Sequence, residues 1–204
     1  MMKLYGGPGS RARRCAWALT ELGVEFEWIS TNSLGGLKSD AYLAIYPLGK
    51  IPLLVDCDNK MSESLAINLY LARRFDNGLW PVTDAGRYQA EQWTLWAATE
   101  AEPSAIGLAA EQFFKDEASR RPDRATEHKE ALAPRLKWLD GHLAGHNGFI
   151  VENKFTIADI NVAGIFDYLP RCDLDLSAYP AFNAWLETCL ARPAQSKMME
   201  NYTD

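Results

Sequence analysis

A little past residue 75 the chain changes texture, and that change constrains its fold more than any single motif. Up to that point short apolar runs alternate with helical patterns. Lys3-Leu4-Tyr5 reads as a short strand. From Ser10 to Leu22, the residues Ala12, Cys15, Ala16, Leu19 and Leu22 recur close to the helical period, and Gly23 sits where a helix closes in a left-handed cap. Phe26-Glu27-Trp28-Ile29 alternates like a strand, and Pro52-Leu53-Leu54-Val55 is a second buried run. Asp58-Asn59 marks a turn before a short strand at Lys60-Met61. A helix from Ser64 to Phe75 closes this half, with Leu65, Ile67, Leu69 and Leu71 among its apolar positions. Strand, helix, strand, hairpin and helix make an α/β plan. The turn-rich run Asp76-Asn77-Gly78-Leu79-Trp80-Pro81 suits a linker. Beyond it almost no strand pattern remains. Helices are expected at about 84–116, 124–145, 156–169 and 178–191, with a short one after Pro193, and Pro134 should kink the second or mark its true start. The chain divides into an α/β domain, residues 1–76, and an all-α domain, residues 85–204.

Composition narrows the function classes. With 48% hydrophobic and 11% aromatic residues over 204 positions, the chain can bury a sizeable core. A formal net charge of −6 argues against nucleic acid as a partner, yet leaves room for a local basic pocket. Cys15, Cys57, Cys172 and Cys189 form no CxxC pair and no cluster at metal-ligand spacing, so no metal site is expected. Neither a signal core nor a membrane-length apolar stretch is visible. Free thiols in a reducing cytoplasm are the natural reading.

Three features of the first half could converge on one ligand. Gly6-Gly7-Pro8-Gly9-Ser10-Arg11 is a glycine-rich turn feeding a helix, whose first N–H groups and dipole favour an anion or a thiolate. Ser10 can donate a hydrogen bond there, with Arg11 and Arg14 adding positive charge; alternatively Ser10 simply caps the helix. In Leu48-Gly49-Lys50-Ile51-Pro52-Leu53-Leu54, a proline opens a buried strand and so gives up a ladder donor. A cis Ile51–Pro52 bond would turn the Ile51 backbone outward to pair with an extended peptide, whereas a trans bond would mark an ordinary edge strand. Ser62-Glu63-Ser64 stands directly before an apolar helix. Ser64 can hold a carboxylate and Glu63 an ammonium, the two ends of an α-amino acid, or the pair can be a cap beside a solvated glutamate.

Taken in order, LYGxxxS, a helix ending ALTELG, PLGKIPLL and SES-LAI resemble the glutathione-binding half of cytosolic glutathione transferases, in a bacterial, serine-type or phi-like form. The second half agrees. Asn153-Lys154-Phe155-Thr156-Ile157-Ala158-Asp159 resembles the family's helix-capping motif, with Thr156 and Asp159 able to reciprocate, and Tyr179 to Trp185 is similar to its penultimate helix. The resemblance implies a thioredoxin-like N-terminal domain followed by an all-helical domain. It implies an enzyme of detoxification that conjugates the glutathione thiolate to small hydrophobic electrophiles, as a cytoplasmic homodimer, with glutathione as co-substrate and no other cofactor. No nucleic acid and no membrane is implied as partner.

Residue by residue, the resemblance puts Glu63 and Ser64 at the γ-glutamyl end of glutathione. Ile51, before Pro52, stands at the cysteinyl backbone, and Lys38 and Lys50 toward the glycyl carboxylate. Anchored on LYG, Ser10 occupies the position whose hydroxyl reaches the glutathione sulfur, with Arg11 as a second helper. Anchored on Arg11-Ala12, Gly6 or Gly7 would stand there instead, and against cysteine-type bacterial members the nucleophile position holds Arg11. Free thiols ionise at a pKa of about 8.5, which helix N-termini and nearby cations lower. The electrophile pocket is expected between the domains along the first long helix, where Trp93, Trp96 and Glu100 fall at i, i+3 and i+7; Trp96 and Glu100 are its candidates, and Trp93 reads rather as core. Cys15 reads as a core thiol, and His128, His142 and His146 as surface or core residues. The same fold also admits a glutathione-dependent peroxidase or disulfide reductase, or a non-catalytic binding module.

Overall fold

The computed structural model describes residues 1–75, 77–146 and 148–203. Asp76, which ends the first expected domain and opens the expected linker, lies outside them. The chain forms two compact units, Met1–Trp80 together with Arg192–Asp204, and Pro81–Ala191.

In the first unit β1 (Met2–Tyr5), α1 (Ala12–Glu21) and β2 (Phe26–Ile29) form a β–α–β start, with β1 and β2 parallel. A short helix α2 (Asp40–Ile45) precedes the hairpin of β3 (Leu53–Asp56) and β4 (Asn59–Ser62), and α3 (Ser64–Arg74) follows. β3 runs antiparallel to both β1 and β4. Because side chains alternate along a strand, the paired residues Tyr5 and Leu53 share one sheet face and pack with Tyr42 of α2. Leu4 and Leu54, also paired and fully buried, point to the opposite face. That face is left to α1 and α3, which pack on each other and bury Trp17, Leu19, Ile67 and Leu71. The thioredoxin-like plan is therefore present, with one element that the sequence pattern did not announce. α2 follows a polar, glycine-rich stretch, and its start is set by Ser39, whose hydroxyl accepts from the Tyr42 N–H at 3.2 Å.

The end of the chain is a second departure. The pattern places residues 192–204 in the helical half, where almost no strand signal remains. Instead α9 (Pro193–Lys197), one 3₁₀ turn and a two-residue strand β5 (Tyr202–Thr203) pack with the first unit. β5 runs parallel to β2 and extends the sheet to the order β4-β3-β1-β2-β5. Two residues are too few to display a period, and their placement answers a need of the edge: β2 would otherwise present unpaired N–H and C=O groups. Arg192 fastens this return through a two-pronged pair to Glu21, at 2.6 and 2.8 Å.

The second unit is helical among its described residues apart from one isolated bridge between Val151 and Lys154. Its first helix starts at Asp84, near the expected position. It runs as α4 (Asp84–Trp96), a π-helical turn over Ala97–Ala101, α5 (Glu102–Ala109) and a second π turn over Ala110–Phe114. α6 spans Pro122–Ala144 and carries Pro134 as an interior residue; the helix neither starts nor stops there. Next to that proline, Arg135 donates from Nη1 to the Ala131 carbonyl at 2.8 Å. α7 (Ile157–Phe166) is buried along nearly its whole length, and α8 (Pro180–Leu190) contributes Phe182, Trp185 and Leu186 to the same core. Among the described residues no helix is long and apolar enough to cross a membrane.

The start of α7 is held by one carboxylate. Thr156 and Asp159 form the reciprocal capping box that their spacing predicts. Asp159 also accepts from the Ile150 N–H at 3.1 Å and the Trp185 indole N–H at 2.9 Å. Burial pushes its pKa up to about 6, against the opposing pull of these donors. Every partner donates, so an amide in its place must turn at least one N–H toward another. Asp159→Asn is expected to cost about 2–4 kcal/mol in urea unfolding, as when a buried network loses one member.

α4 has a second anchor. Glu152, at a positive φ of 54°, accepts from Val82 N at 3.1 Å, Thr83 N at 2.8 Å and Thr83 Oγ1 at 2.6 Å. A methyl carbon on Gly86 would stand 2.4 Å from a Glu152 oxygen, so only glycine leaves room for it. Burial alone would raise the Glu152 pKa, but Thr83, Val82 and Lys154 outweigh it and bring it down to about 2. A carboxyl whose pKa falls on folding stabilises the fold above its unfolded value, near 4.5, and loses that contribution as pH falls toward 2. Glu152→Gln should flatten the acid limb of the stability curve between those pH values while lowering the neutral-pH plateau, as followed by unfolding midpoints.

Candidate glutathione site

Gly6 gathers the first elements of the site. Its φ of +129° is open to glycine and rarely to other residues. A methyl carbon placed on it would lie 2.8 Å from Ala12 Cβ, 3.2 Å from Ile51 Cβ and 3.2 Å from Ser10 Oγ. The turn before α1 and the turn before β3 therefore meet at this glycine, bringing Ser10 and Ile51 together. Its backbone is tied on both sides, its N–H donating to the Ile29 carbonyl at 3.0 Å and its carbonyl accepting from the Trp28 indole N–H.

Ser10 lies just before α1 and is half-buried. Its hydroxyl donates to the Gly7 carbonyl at 2.7 Å and accepts from the Ala12 N–H at 3.2 Å. The cap reading and the anion reading thus fall on the same atom, and the hydroxyl proton is directed at Gly7. Arg11 takes the N-cap place of α1 and is exposed. Cys15 is fully buried one turn on, its thiol donating to the Ser64 carbonyl at 3.4 Å and pushed up to about 12 by burial, with Arg14 opposing. It is a core thiol, as expected. Cys57 is exposed at the β3–β4 turn.

The Ile51–Pro52 bond is cis, with Pro52 buried and Ile51 half-buried. Lys50 and Lys38 are both exposed. The Lys50 carbonyl accepts from the Tyr42 hydroxyl at 2.7 Å, which holds the approach to Ile51. Lys38 comes to the same turn, since a methyl carbon on Gly49 would lie 3.2 Å from its Nζ. The Lys38 ammonium thus comes to the loop that carries Lys50.

Across α1 stands the third element. Ser64, buried, opens α3, and Glu63 before it is exposed with φ 66° and ψ 100°. The link to α1 is Arg14, a buried guanidinium whose Nε donates to Ser64 Oγ at 2.8 Å. The Arg14 carbonyl accepts in turn from Asn68 Nδ2 at 3.2 Å. The sequence marks Arg14 only as positive charge; its burial between two helices is a tertiary fact that one sequence does not display.

Trp96 and Glu100 stand in the second unit. Trp96 is half-buried and packs edge to face on Trp93, with centroids 5.1 Å apart, and on Trp138 at 5.1 Å. Trp93 is buried, stacked on Trp138 at 4.4 Å, and is core as expected. Glu100 pairs instead with Arg135, at 2.9 Å to the carboxylate and 2.9 Å to its own carbonyl. Glu100 lies within the π turn over Ala97–Ala101, and like Trp96 it meets α6, at Arg135 where Trp96 meets Trp138. His142 lies against Trp93 and bonds the Ile150 carbonyl at 2.8 Å, His146 stacks on it, and the His128 ring covers Gly107.

Residues 1–73 match the profile of the glutathione S-transferase N-terminal domain, and residues 102–193 that of the C-terminal domain. Glutathione S-transferase 3 of Zea mays is 34% identical over 206 residues, covering 96% of this chain and 92% of its own. Glutathione S-transferase F9 of Arabidopsis thaliana is 28% identical, covering 100% and 98%. Among solved structures, a glutathione S-transferase III in apo form superposes with a TM-score of 0.85 at 32% identity, over 98% of this chain and 95% of that one. The transferase URE2P8 of Phanerochaete chrysosporium, solved with oxidized glutathione, gives 0.83 at 25% identity, over 98% and 93%. Both halves match in order, and a relative above 30% identity spans nearly the whole chain, so this chain belongs to the glutathione S-transferase family.

Proposed function

We propose that the conjugating chemistry of this family is carried here by the junction of the Gly6–Ser10 turn with α1, acting on glutathione held along the cis-proline loop and the start of α3. The observation that carries the reading is the convergence at Gly6, where the Ser10 hydroxyl and Ile51 come within van der Waals reach of one missing methyl group. Ile51 offers its backbone to the cysteinyl residue, which sets the sulfur before the N-terminus of α1. There the helix dipole, Arg11 and the Ser10 hydroxyl favour the thiolate over the thiol. Ser10 must first exchange its bond to the Gly7 carbonyl for one to sulfur, a swap of hydrogen bonds whose net cost is small. The thiolate then attacks the electrophilic carbon, and the leaving group departs with its electron pair. No protein nucleophile or triad base is needed.

At the γ-glutamyl end, Ser64 accepts from Arg14, which leaves its own O–H to donate to the carboxylate, while Glu63 takes the ammonium. The left-handed backbone at Glu63 fits that role, since strained residues of this kind, costing about 1–3 kcal/mol, concentrate at ligand sites. Lys38 and Lys50 meet the glycyl carboxylate. Trp96, with its aromatic neighbours, supplies apolar surface for a hydrophobic electrophile, and Glu100 a secondary contact limited by its pairing with Arg135. The glutathione domain is Met1–Trp80 with the returning Arg192–Asp204, the helical domain is Pro81–Ala191, and the working form is a homodimer. Four free thiols fit a reducing cytoplasm, and glutathione serves as co-substrate without another cofactor.

Retention on a glutathione matrix together with turnover of a chloronitrobenzene is the expected behaviour. Turnover of cumene hydroperoxide alone would favour the peroxidase, and retention without any turnover would favour a binding module. Ser10→Ala is expected to raise the pKa of bound glutathione, read from thiolate absorbance, with affinity nearly unchanged; an unmoved titration would assign activation to Arg11 or the backbone amides. Ser64→Ala should weaken glutathione binding by about 1.5–3 kcal/mol in calorimetry, the range for a hydrogen bond to a charged group. Unchanged affinity would reduce Ser64 to a helix cap.

A further inference from the structure

The returning C-terminal segment reaches the turn that carries Ser10 by two routes. In the first, β5 sets Tyr202 opposite Trp28, and the two rings meet edge to face with centroids 5.1 Å apart. Trp28 is fully buried, and its indole N–H donates to the Gly6 carbonyl. In the second, Tyr202 reaches the turn directly: a methyl carbon built on Gly7 would lie 3.6 Å from its hydroxyl oxygen. The Gly7 carbonyl accepts both the Ser10 hydroxyl at 2.7 Å and the Ser10 N–H at 3.0 Å. Both routes therefore end on the peptide units that orient Ser10.

The segment is well fastened for this task. Arg192 grips Glu21, Gln195 Oε1 accepts from Arg13 Nη2 at 3.3 Å, and Met198 is fully buried. Glu21 and Arg13 both belong to α1, so the segment is tied to the same helix whose N-terminus faces the sulfur.

We propose that Tyr202 is a positioning residue for thiol activation. Its ring braces Trp28 and its hydroxyl backs Gly7, which fixes the distance between the Ser10 hydroxyl, the start of α1 and the glutathione sulfur. Hydrogen bonds weaken steeply as geometry degrades, so slack in this turn is felt by the thiolate first. Glutathione affinity is set elsewhere, by Ile51, Glu63, Ser64 and the two lysines. The signature is a change in thiol pKa at nearly constant affinity. The proposal rests on the reading of Ser10 and α1 as the thiolate site.

The test titrates the thiolate absorbance of bound glutathione in the full chain and in its Tyr202→Ala and Tyr202→Phe variants, with binding measured in parallel. Tyr202→Ala is expected to raise the bound thiol pKa by about one unit, an about tenfold smaller thiolate fraction below that pKa, and to lower kcat in proportion at slightly acid pH. Its Kd for glutathione should stay within about twofold, as a defect of orientation rather than of binding. Tyr202→Phe keeps the ring and should give a smaller rise, and it decides the matter should Tyr202→Ala fail to fold. A depressed pKa in the parent chain that persists unchanged in the variants would overturn the role of Tyr202 and leave the Ser10 site standing. A parent chain whose bound thiol titrates like free glutathione would overturn the Ser10 reading, and this proposal with it.

Discussion

Gly6 accepts the Trp28 indole N–H on its carbonyl and gives its own N–H to Ile29, at a φ that excludes a side chain. On this one residue depend the end of β1, the turn into α1 and the approach of Ile51. A Cβ there would strike Ala12 at 2.8 Å and press on both Ile51 and Ser10. The closeness that leaves no room for a methyl group is the closeness that brings the Ser10 and Ile51 loops together. Backbone freedom, local packing and ligand geometry are here a single constraint.

Arg14 provides the complementary link. A guanidinium buried between α1 and α3 needs polar partners, and it finds Ser64 at one edge while its carbonyl takes Asn68. The starts of α1 and α3, which carry Ser10 and Ser64, are thereby held in one register. In the second unit Asp159 has a similar part, joining the start of α7 to Ile150 and to Trp185 of α8. Arg14 in the first unit and Asp159 in the second are each a buried ionisable group that several elements share.

Much of the first half was legible because its elements carry their own periods and caps. The strand at 26–29 and the helix opening at Ser64 stand where the pattern puts them, and the Thr156–Asp159 box follows from spacing alone. What escaped was non-local. β5 has two residues and owes its strand to the edge of β2, and α2 is too short for a period to show. Spacing groups Glu100 with Trp93 and Trp96, but it cannot name the partner, Arg135 of α6, that pairs with its carboxylate. Ser10 was legible as a hydroxyl at a helix start, but its bond to Gly7 depends on a φ that no residue type declares. The cis-proline loop and the Glu63–Ser64 turn were readable as ordered motifs, whereas Arg14 and Tyr202 make contacts with residues far apart in sequence.

The return of residues 192–203 to the first sheet makes that unit discontinuous, with all of Pro81–Ala191 inserted between its two pieces. During synthesis α1, β2 and the hairpin emerge early, yet the free edge of β2 waits for its neighbour until the whole helical unit has been made. A nascent chain at that stage exposes an open strand edge beside an incompletely braced glycine turn. The order of translation therefore opposes the order of assembly: the half that forms first in time is the half that is sealed last.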